Sequence, residues 1–411
     1  MEIAVISDLH LGFSLTKELE NDSYENAFEA FEKALDSDII ILAGDIFDTK
    51  SPKPKSWYFA LSLLSLPFSK ESKVKLIESS KELPLATKER TLKHLPVIAI
   101  HGNHDRNLRG EKNIIEALEK AGLLVYLHRN YVVFEKDGIK VAIHGMSHVP
   151  ERFAYEMLKD WNPKSIENAI NILVLHQNIG QYVYSPIQKP TIDLNNLPEG
   201  FDIVIDGHIH LYTIEKFRNG YFLIPGSTVI TQFQPSEAEI PKGFLKIRIE
   251  NGKIDVKFVS LENQRKFFYE KIEVEENWKE KVEERIKRIL TKSFSKKPII
   301  KIKLIGKDLE ILDKEIREIE NKFKEKAIIL ISKEVSFSEI EEKFELLKNI
   351  RDQKISIRDM GLIILKKNLE DLGFKESFDV ERLIKILEEK DIDLAMDILL
   401  GKIKGISSFL K

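Results

Sequence analysis

The sequence predicts an α/β fold, and three observations carry that prediction. Short apolar runs recur at Ile3 to Ser7, Ile39 to Ala43, Val97 to Ile100, Ile172 to Leu175 and Phe201 to Ile205. A helix-periodic segment separates the first two, an order that implies a parallel strand pair. Each run also ends directly in residues able to bind a ligand, and in open α/β sheets ligands sit beyond the carboxyl ends of strands.

Taken in order, Ile3 to Ser7 is a strand ending in Asp8-Leu9-His10, and strand alternation would put Asp8 and His10 on one side. Tyr24 to Leu35 repeats apolar residues at helical spacing (Ala27, Phe28, Phe31, Ala34, Leu35). Ile39 to Ala43 is the second strand and ends in Gly44-Asp45-Ile46-Phe47-Asp48. After Pro52 and Pro54, Trp57 to Leu66 is apolar nearly all round, which suits a buried or interface helix. The stretch 69–93 is charged, without a strong period. Val97 to Ile100 leads into His101-Gly102-Asn103-His104-Asp105. Asn113 to Ala121 reads as a helix stopped by Gly122, and Tyr131 to Phe134 with Val141 to His144 reads as a hairpin across Lys136-Asp137-Gly138. Two further strands end in His176-Gln177 and in Asp206-Gly207-His208-Ile209-His210. Three β-prone runs follow, at Tyr221 to Ile224, Phe244 to Ile249 and Ile254 to Leu261.

Composition limits the chemistry. The 411 residues contain no cysteine, which excludes disulfides, thiolate metal sites and cysteine nucleophiles, so any metal must sit on His, Asp, Glu or Asn. Apolar residues make up 43% of the chain, enough to bury a sizeable core, and a formal charge of −3 argues neither for nor against nucleic acid. The start of the chain reads as a strand rather than a signal peptide, and no run of about 18 apolar residues occurs, so a soluble, intracellular protein without a membrane span is expected. Abundant Lys, Glu and Ile fit a thermophilic source.

Collected together, the strand ends supply Asp8, His10, Asp45, Asn103, His104, His176, His208 and His210. Five of the ten histidines lie in these tails, whereas His94, His101, His128, His144 and His148 are expected to be hydrogen-bonded or surface residues. Carboxylate, amide and imidazole donors suit two divalent ions sharing one carboxylate, for which Asp45 is the candidate. Such a pair matches phosphate ester hydrolysis.

The same tails resemble the calcineurin-like metallophosphoesterase superfamily. Within it, Asn103-His-Asp-Arg-Asn-Leu-Arg-Gly110, His144-Gly-Met146, Leu175-His-Gln177, Leu197-Pro-Glu-Gly200 ahead of Gly207-His-Ile-His210, and Pro225-Gly-Ser227 are similar to the Mre-eleven or SbcD family of DNA double-strand-break repair nucleases. The resemblance is strong over about residues 1–260. It implies a metallophosphoesterase β-sandwich flanked by helices over 1–261, a small α/β cap over 262–335 and a helical tail over 336–411. It further implies a first ion on Asp8, His10, Asp45 and His210, and a second on Asp45, Asn103, His176 and His208, both usually manganese. His104 would stabilise the transition state or protonate the leaving oxygen, with Asp105 orienting its imidazole. Asp48 stands where many family members have a histidine that moves the scissile phosphate, and could instead support the metal ligands. The activities implied are a 3′ to 5′ exonuclease and a single-strand endonuclease. The implied setting is break repair at the nucleoid, as a homodimer through Trp57 to Leu66 and with an SMC-like ABC ATPase of Rad-Fifty or SbcC type on the tail. A generic dimetal phosphodiesterase or phosphatase acting on a small ester is the alternative, because it would share every ligand.

The segments behind the cap and tail are legible as elements. Phe268 to Val274, Trp278 to Leu290, Ile299 to Ile305, Leu309 to Lys324 and Ile328 to Ile331 alternate strand and helix. From Ser338 the pattern is helical, opened by a Ser338/Glu341 capping box and stopped once at Gly373.

Overall fold

The computed structural model describes residues 1–106, 112–183, 191–306 and 313–335. The helical tail expected from Ser338 lies outside the described residues. The chain begins β1 (Glu2–Ile6), α1 (Asp22–Ala34), β2 (Ile39–Ala43), α2 (Pro54–Ser65), β3 (Lys75–Ser79), α3 (Leu85–Glu89), β4 (Val97–Ile100), α4 (Ile114–Lys120) and β5 (Val125–Tyr126). It continues through β6 (Asn130–Lys136), β7 (Ile139–Gly145), α5 (Glu151–Trp161), β8 (Ile170–Leu175), β9 (Ile203–Asp206), β10 (Thr213–Phe217) and β11 (Gly220–Ile224). Then come α6 (Pro235–Glu239), β12 (Gly243–Glu250), β13 (Lys253–Ser260), β14 (Phe267–Glu273), α7 (Trp278–Ile289), β15 (Ile299–Gly306), α8 (Asp313–Phe323) and β16 (Ile328–Val335).

Two sheets form a sandwich with helices outside it. One has the order β13-β12-β1-β2-β4-β5 and the other β10-β11-β9-β8-β7-β6-β3. The strands that precede the polar tails are parallel to their neighbours: β1 with β2, β2 with β4, and β7 with β8 with β9. Strand alternation builds the layers. Ile3, Val5, Ile39, Ile41, Ile98 and Ile100 point between the sheets, where they meet Val132, Ile143, Ile172, Val174, Ile203 and Ile205. The alternate residues Ala4, Ile6, Ile40, Leu42, Val97 and Ala99 point outward to α1, α2 and α4 through Phe31, Leu63 and Ile115. On the far side Leu173, Leu175 and Val204 pack on Ala154 and Leu158 of α5. Each fully buried aliphatic side chain contributes roughly 1.5–3 kcal/mol. Because both faces are covered, the strands read as continuous apolar runs rather than alternating ones.

Several elements are absent from the sequence reading, β3 and α5 among them. Within 69–93, β3 pairs antiparallel with β6 at the sheet edge, and a register shift between Leu76 and Glu78 breaks the alternation that would have marked it. The helix α5 was not anticipated, because only Ala154 and Leu158 are buried among its residues.

The described residues 1–304 and 313–332 form one compact body. β14, β15 and β16 form a separate three-stranded sheet. Trp278, Val282 and Ile286 form the buried face of α7, and Ile316, Ile319 and Phe323 that of α8. This segment joins the sandwich through an apolar cluster of Leu19, Ile230, Phe233, Phe267, Ile299 and Ile328. Beside it, Arg265 grips Asp22 through Nε at 2.6 Å and Nη2 at 2.8 Å.

Candidate metal centre

The parallel strands deliver their tails to one edge, where the backbone turns sharply. Asp8, His10, Asp45 and His208 all take left-handed φ values, of 51°, 44°, 48° and 72°. Strain of this kind costs on the order of 1–3 kcal/mol per residue and persists only where the surroundings enforce it. Here neighbouring loops enforce it: Asp8 N donates to Gly44 O, His10 N to Asp45 O and Leu11 N to Ile46 O at 2.9–3.1 Å. Asp8 and His10 therefore share a side through a left-handed turn after β1, not through the strand alternation expected from the sequence.

Two sets of donors result. His210 Nε2 lies 3.5 Å from Asp8 Oδ1 and 3.2 Å from His10 Nε2. His176 Nε2 lies 3.4 Å from Asp45 Oδ2 and 3.2 Å from Asn103 Oδ1, and that amide oxygen is also 3.0 Å from His208 Nδ1. Asp45 stands between them, with Oδ2 3.9 Å from His10 Nε2. Donor atoms of Asp8, His10 and His210, of His10, Asp45 and His104, and of Asp8, Asp45 and His176 each cluster within 4.8 Å.

The surroundings fit a pair of cations. Asp8 Oδ1 is buried and has no hydrogen-bond donor. Glycines clear the space: a Cβ on Gly102 would stand 2.0 Å from Asp45 Oδ1, and one on Gly207 would stand 2.1 Å from Ala43 O and 2.5 Å from His176 Nδ1. Two buried carboxylates in one spot need positive charge. Burial drives His176 down, yet the Asp45 carboxylate outweighs it and holds the imidazole at about 10. Burial likewise pushes Asp45 up, and the His176 charge more than reverses that, holding it well below the usual carboxylate range. Burial also sends His208 down to about 3, with His176 adding to the shift.

Residues 1–212 match the family model for calcineurin-like phosphoesterases. The chain belongs to that family. Among curated relatives, this phosphoesterase is similar to the double-strand break repair protein mus-23 of Neurospora crassa, 28% identical over 65% of this chain and 40% of that one. It is similar also to double-strand break repair protein MRE11 of Mus musculus, 28% identical over 66% of this chain and 42% of that one. With DNA double-strand break repair protein Mre11 of Methanopyrus kandleri it shares 26% identity over 70% of this chain and 63% of that one. The chain spans from two fifths to just under two thirds of the length of these relatives.

The phosphoesterase site brings together all the residues expected from its sequence, with one change of role. Asp105 does not orient the His104 imidazole. Its carboxylate accepts Ile46 N at 3.0 Å, Phe47 N at 2.8 Å and Gly102 N at 3.1 Å, so it fixes the loop carrying Asp45. His104 is instead oriented by the Asp48 carbonyl, which accepts from Nδ1 at 2.7 Å, and its backbone N donates to Asp45 Oδ1 at 2.8 Å. The Asp48 carboxylate lies 3.1 Å from His10 Nδ1, where it can hold this candidate ligand as carboxylates hold metal-bound histidines.

Of the histidines left out of the site, His94 bonds Arg90 O, and His101 bonds Tyr126 and the His148 carbonyl. His144 is buried against Tyr131 and Phe201. His148 comes closer than expected, its ring centroid 6.2 Å from His176 and 6.5 Å from His208. The sequence reading missed Thr231, Glu237 and Lys242, which lie behind His210; a lone lysine before a strand ordinarily reads as solvated.

Proposed function

We propose that this phosphoesterase is a manganese-dependent DNA nuclease of double-strand-break repair, acting as a 3′ to 5′ exonuclease and a single-strand endonuclease. The observation that carries the reading is the convergence of two donor sets on a shared Asp45. The first ion is assigned to Asp8, His10, Asp45 and His210, and the second to Asp45, Asn103, His176 and His208. Two divalent ions so held supply positive charge to the phosphate and acidify a water near neutral pH. The chain's own residues do the rest. Asp48 and Asp105 hold the ligand loops in place. In its imidazolium form His104, pinned at Nδ1, presents Nε2–H to hydrogen-bond or protonate the departing oxygen.

The choice of DNA is supported by the relatives named for double-strand break repair. We assign residues 262–335 as a cap that selects DNA, and the segment from 336 as the docking site for an SMC-like ABC ATPase of Rad-Fifty or SbcC type at the nucleoid. Tyr58 and Leu61, 66% and 43% exposed on α2, support pairing of two copies there. Among the described residues no helix is long and apolar enough to cross a membrane.

Purified chain should be assayed with manganese on end-labelled single- and double-stranded DNA beside bis-p-nitrophenyl phosphate, as wild type and as His104→Ala. Degradation of DNA, abolished in the folded variant, is the expected result. Hydrolysis of the small ester with DNA left intact would overturn the nuclease reading in favour of a generic phosphodiesterase.

A further inference from the structure

A buried ion pair lies directly behind His210. Lys242, 2% exposed, spends all three ammonium hydrogens, on the His210 carbonyl at 3.1 Å, Ser227 Oγ at 2.9 Å and Glu237 Oε1 at 2.6 Å. Glu237, 4% exposed, uses its other oxygen to accept Gln232 N at 2.9 Å and Phe233 N at 2.8 Å, and Phe233 sits at a left-handed φ of 53°. The pair therefore fixes the segment from Ser227 to Phe233 in one shape. That segment carries Thr231, whose Oγ1 lies 2.6 Å from His210 Nδ1. A hydroxyl accepting from Nδ1–H puts the imidazole lone pair on Nε2, the nitrogen that faces Asp8 and His10. The same segment touches the turn after β1, since Thr228 N donates to Asp8 O and Ser7 bridges Ser227.

The ligands on the other side are held differently. His176 Nδ1 bonds Ala43 O at 2.8 Å, and His208 Nδ1 reaches Asn103 Oδ1. Each hydrogen-bond partner described for the Lys242 ammonium belongs to His210 or to the chain from Ser227 onward.

We propose that Lys242, Glu237 and Thr231 are positioning residues that orient His210 for the first ion alone, so that the two metal sites are held by separable supports. The inference rests on the two-ion reading above. Selectivity is its signature, because a merely structural role would change stability without favouring one ion.

The full chain should be titrated with manganese, with bound metal counted by mass spectrometry and the ion pair read by low-temperature electron paramagnetic resonance, where two close manganese ions give a coupled signal and a single ion does not. Thr231→Val, which introduces no buried charge, is expected to weaken one of the two ions about 10–100-fold and leave the other unchanged. Between the two affinities the spectrum should be mononuclear. Thr231→Ser, which keeps the hydroxyl, should restore the coupled signal, and Lys242→Met should behave as Thr231→Val wherever it folds. Equal weakening of both ions, or a Thr231→Val titration identical to wild type, would overturn the proposal. A wild type that binds fewer than two ions would overturn the two-ion reading itself, a separate outcome visible before any variant is made.

Discussion

Asp45 Oδ2 and His176 Nε2 stand 3.4 Å apart although they follow strands of different sheets, β2 and β8. The pair closes the sandwich at its ligand-bearing edge, and the other Asp45 oxygen is committed to the His104 amide. Replacing this carboxylate removes a donor from both sets at once. Asp45→Asn should leave neither ion tightly held, and hydrolysis of bis-p-nitrophenyl phosphate should fall by more than the roughly 100-fold that loss of an outer partner costs. Metal counting beside the assay checks both halves; one fully retained ion would show that Asp45 is not shared.

Gly102 has no room for a side chain. With the nearest Asp45 atoms 2.0 and 2.4 Å from the position of an added Cβ, the metal loop would have to move. Gly102→Ala should lower folding stability by about 1–3 kcal/mol and weaken manganese binding together. Urea denaturation with and without manganese reads the two effects, and a variant with wild-type stability and binding would show that the close approach is unnecessary.

Arg265 clamps the β14 to β16 segment to α1. Besides its two bonds to Asp22, it donates to Lys297 O at 2.7 Å and Glu18 O at 3.2 Å. A lysine cannot reproduce that planar fork. Arg265→Lys is expected to cost about 1.5–3 kcal/mol, the range for hydrogen bonds to charged groups. An unchanged denaturation midpoint would mean the clamp adds nothing.

Acid should weaken the fold through histidines away from the candidate metal ligands. Burial pushes His144 down to about 4, and burial with the Arg129 charge does the same to His128. In the unfolded chain both titrate near about 6.5, so unfolding takes up protons. Their stabilisation is whole above that pH and drains away as pH falls to about 4, by up to about 3 kcal/mol each. His144→Gln should flatten the stability curve over that window; a slope equal to wild type would remove His144 from the account.

The five strands and their tails were legible because each is local. An apolar run such as Ile39 to Ala43 reads as a strand by itself, and Gly44-Asp45 follows it in the chain. The pairing of Asp45 with His176, the left-handed turns at Asp8 and His10, and the amide cradle around Asp105 were not legible, since each depends on which loops come to lie side by side. β3 was hidden by its shifted register, and Lys242 by its ordinary appearance. The sequence by itself determined the residue types at the strand ends, and hence the class of ligand, because side-chain chemistry is written residue by residue. Only the tertiary structure decided the division of labour, with Asp48 supporting His10, Asp105 holding the Asp45 loop and Lys242 backing His210. Those roles come from burial and hydrogen-bond saturation among segments 38, 59 and 32 residues apart in the chain; parallel pairing of β1, β2 and β4 brings the first two together, and packing of one sheet on the other brings Lys242 to His210.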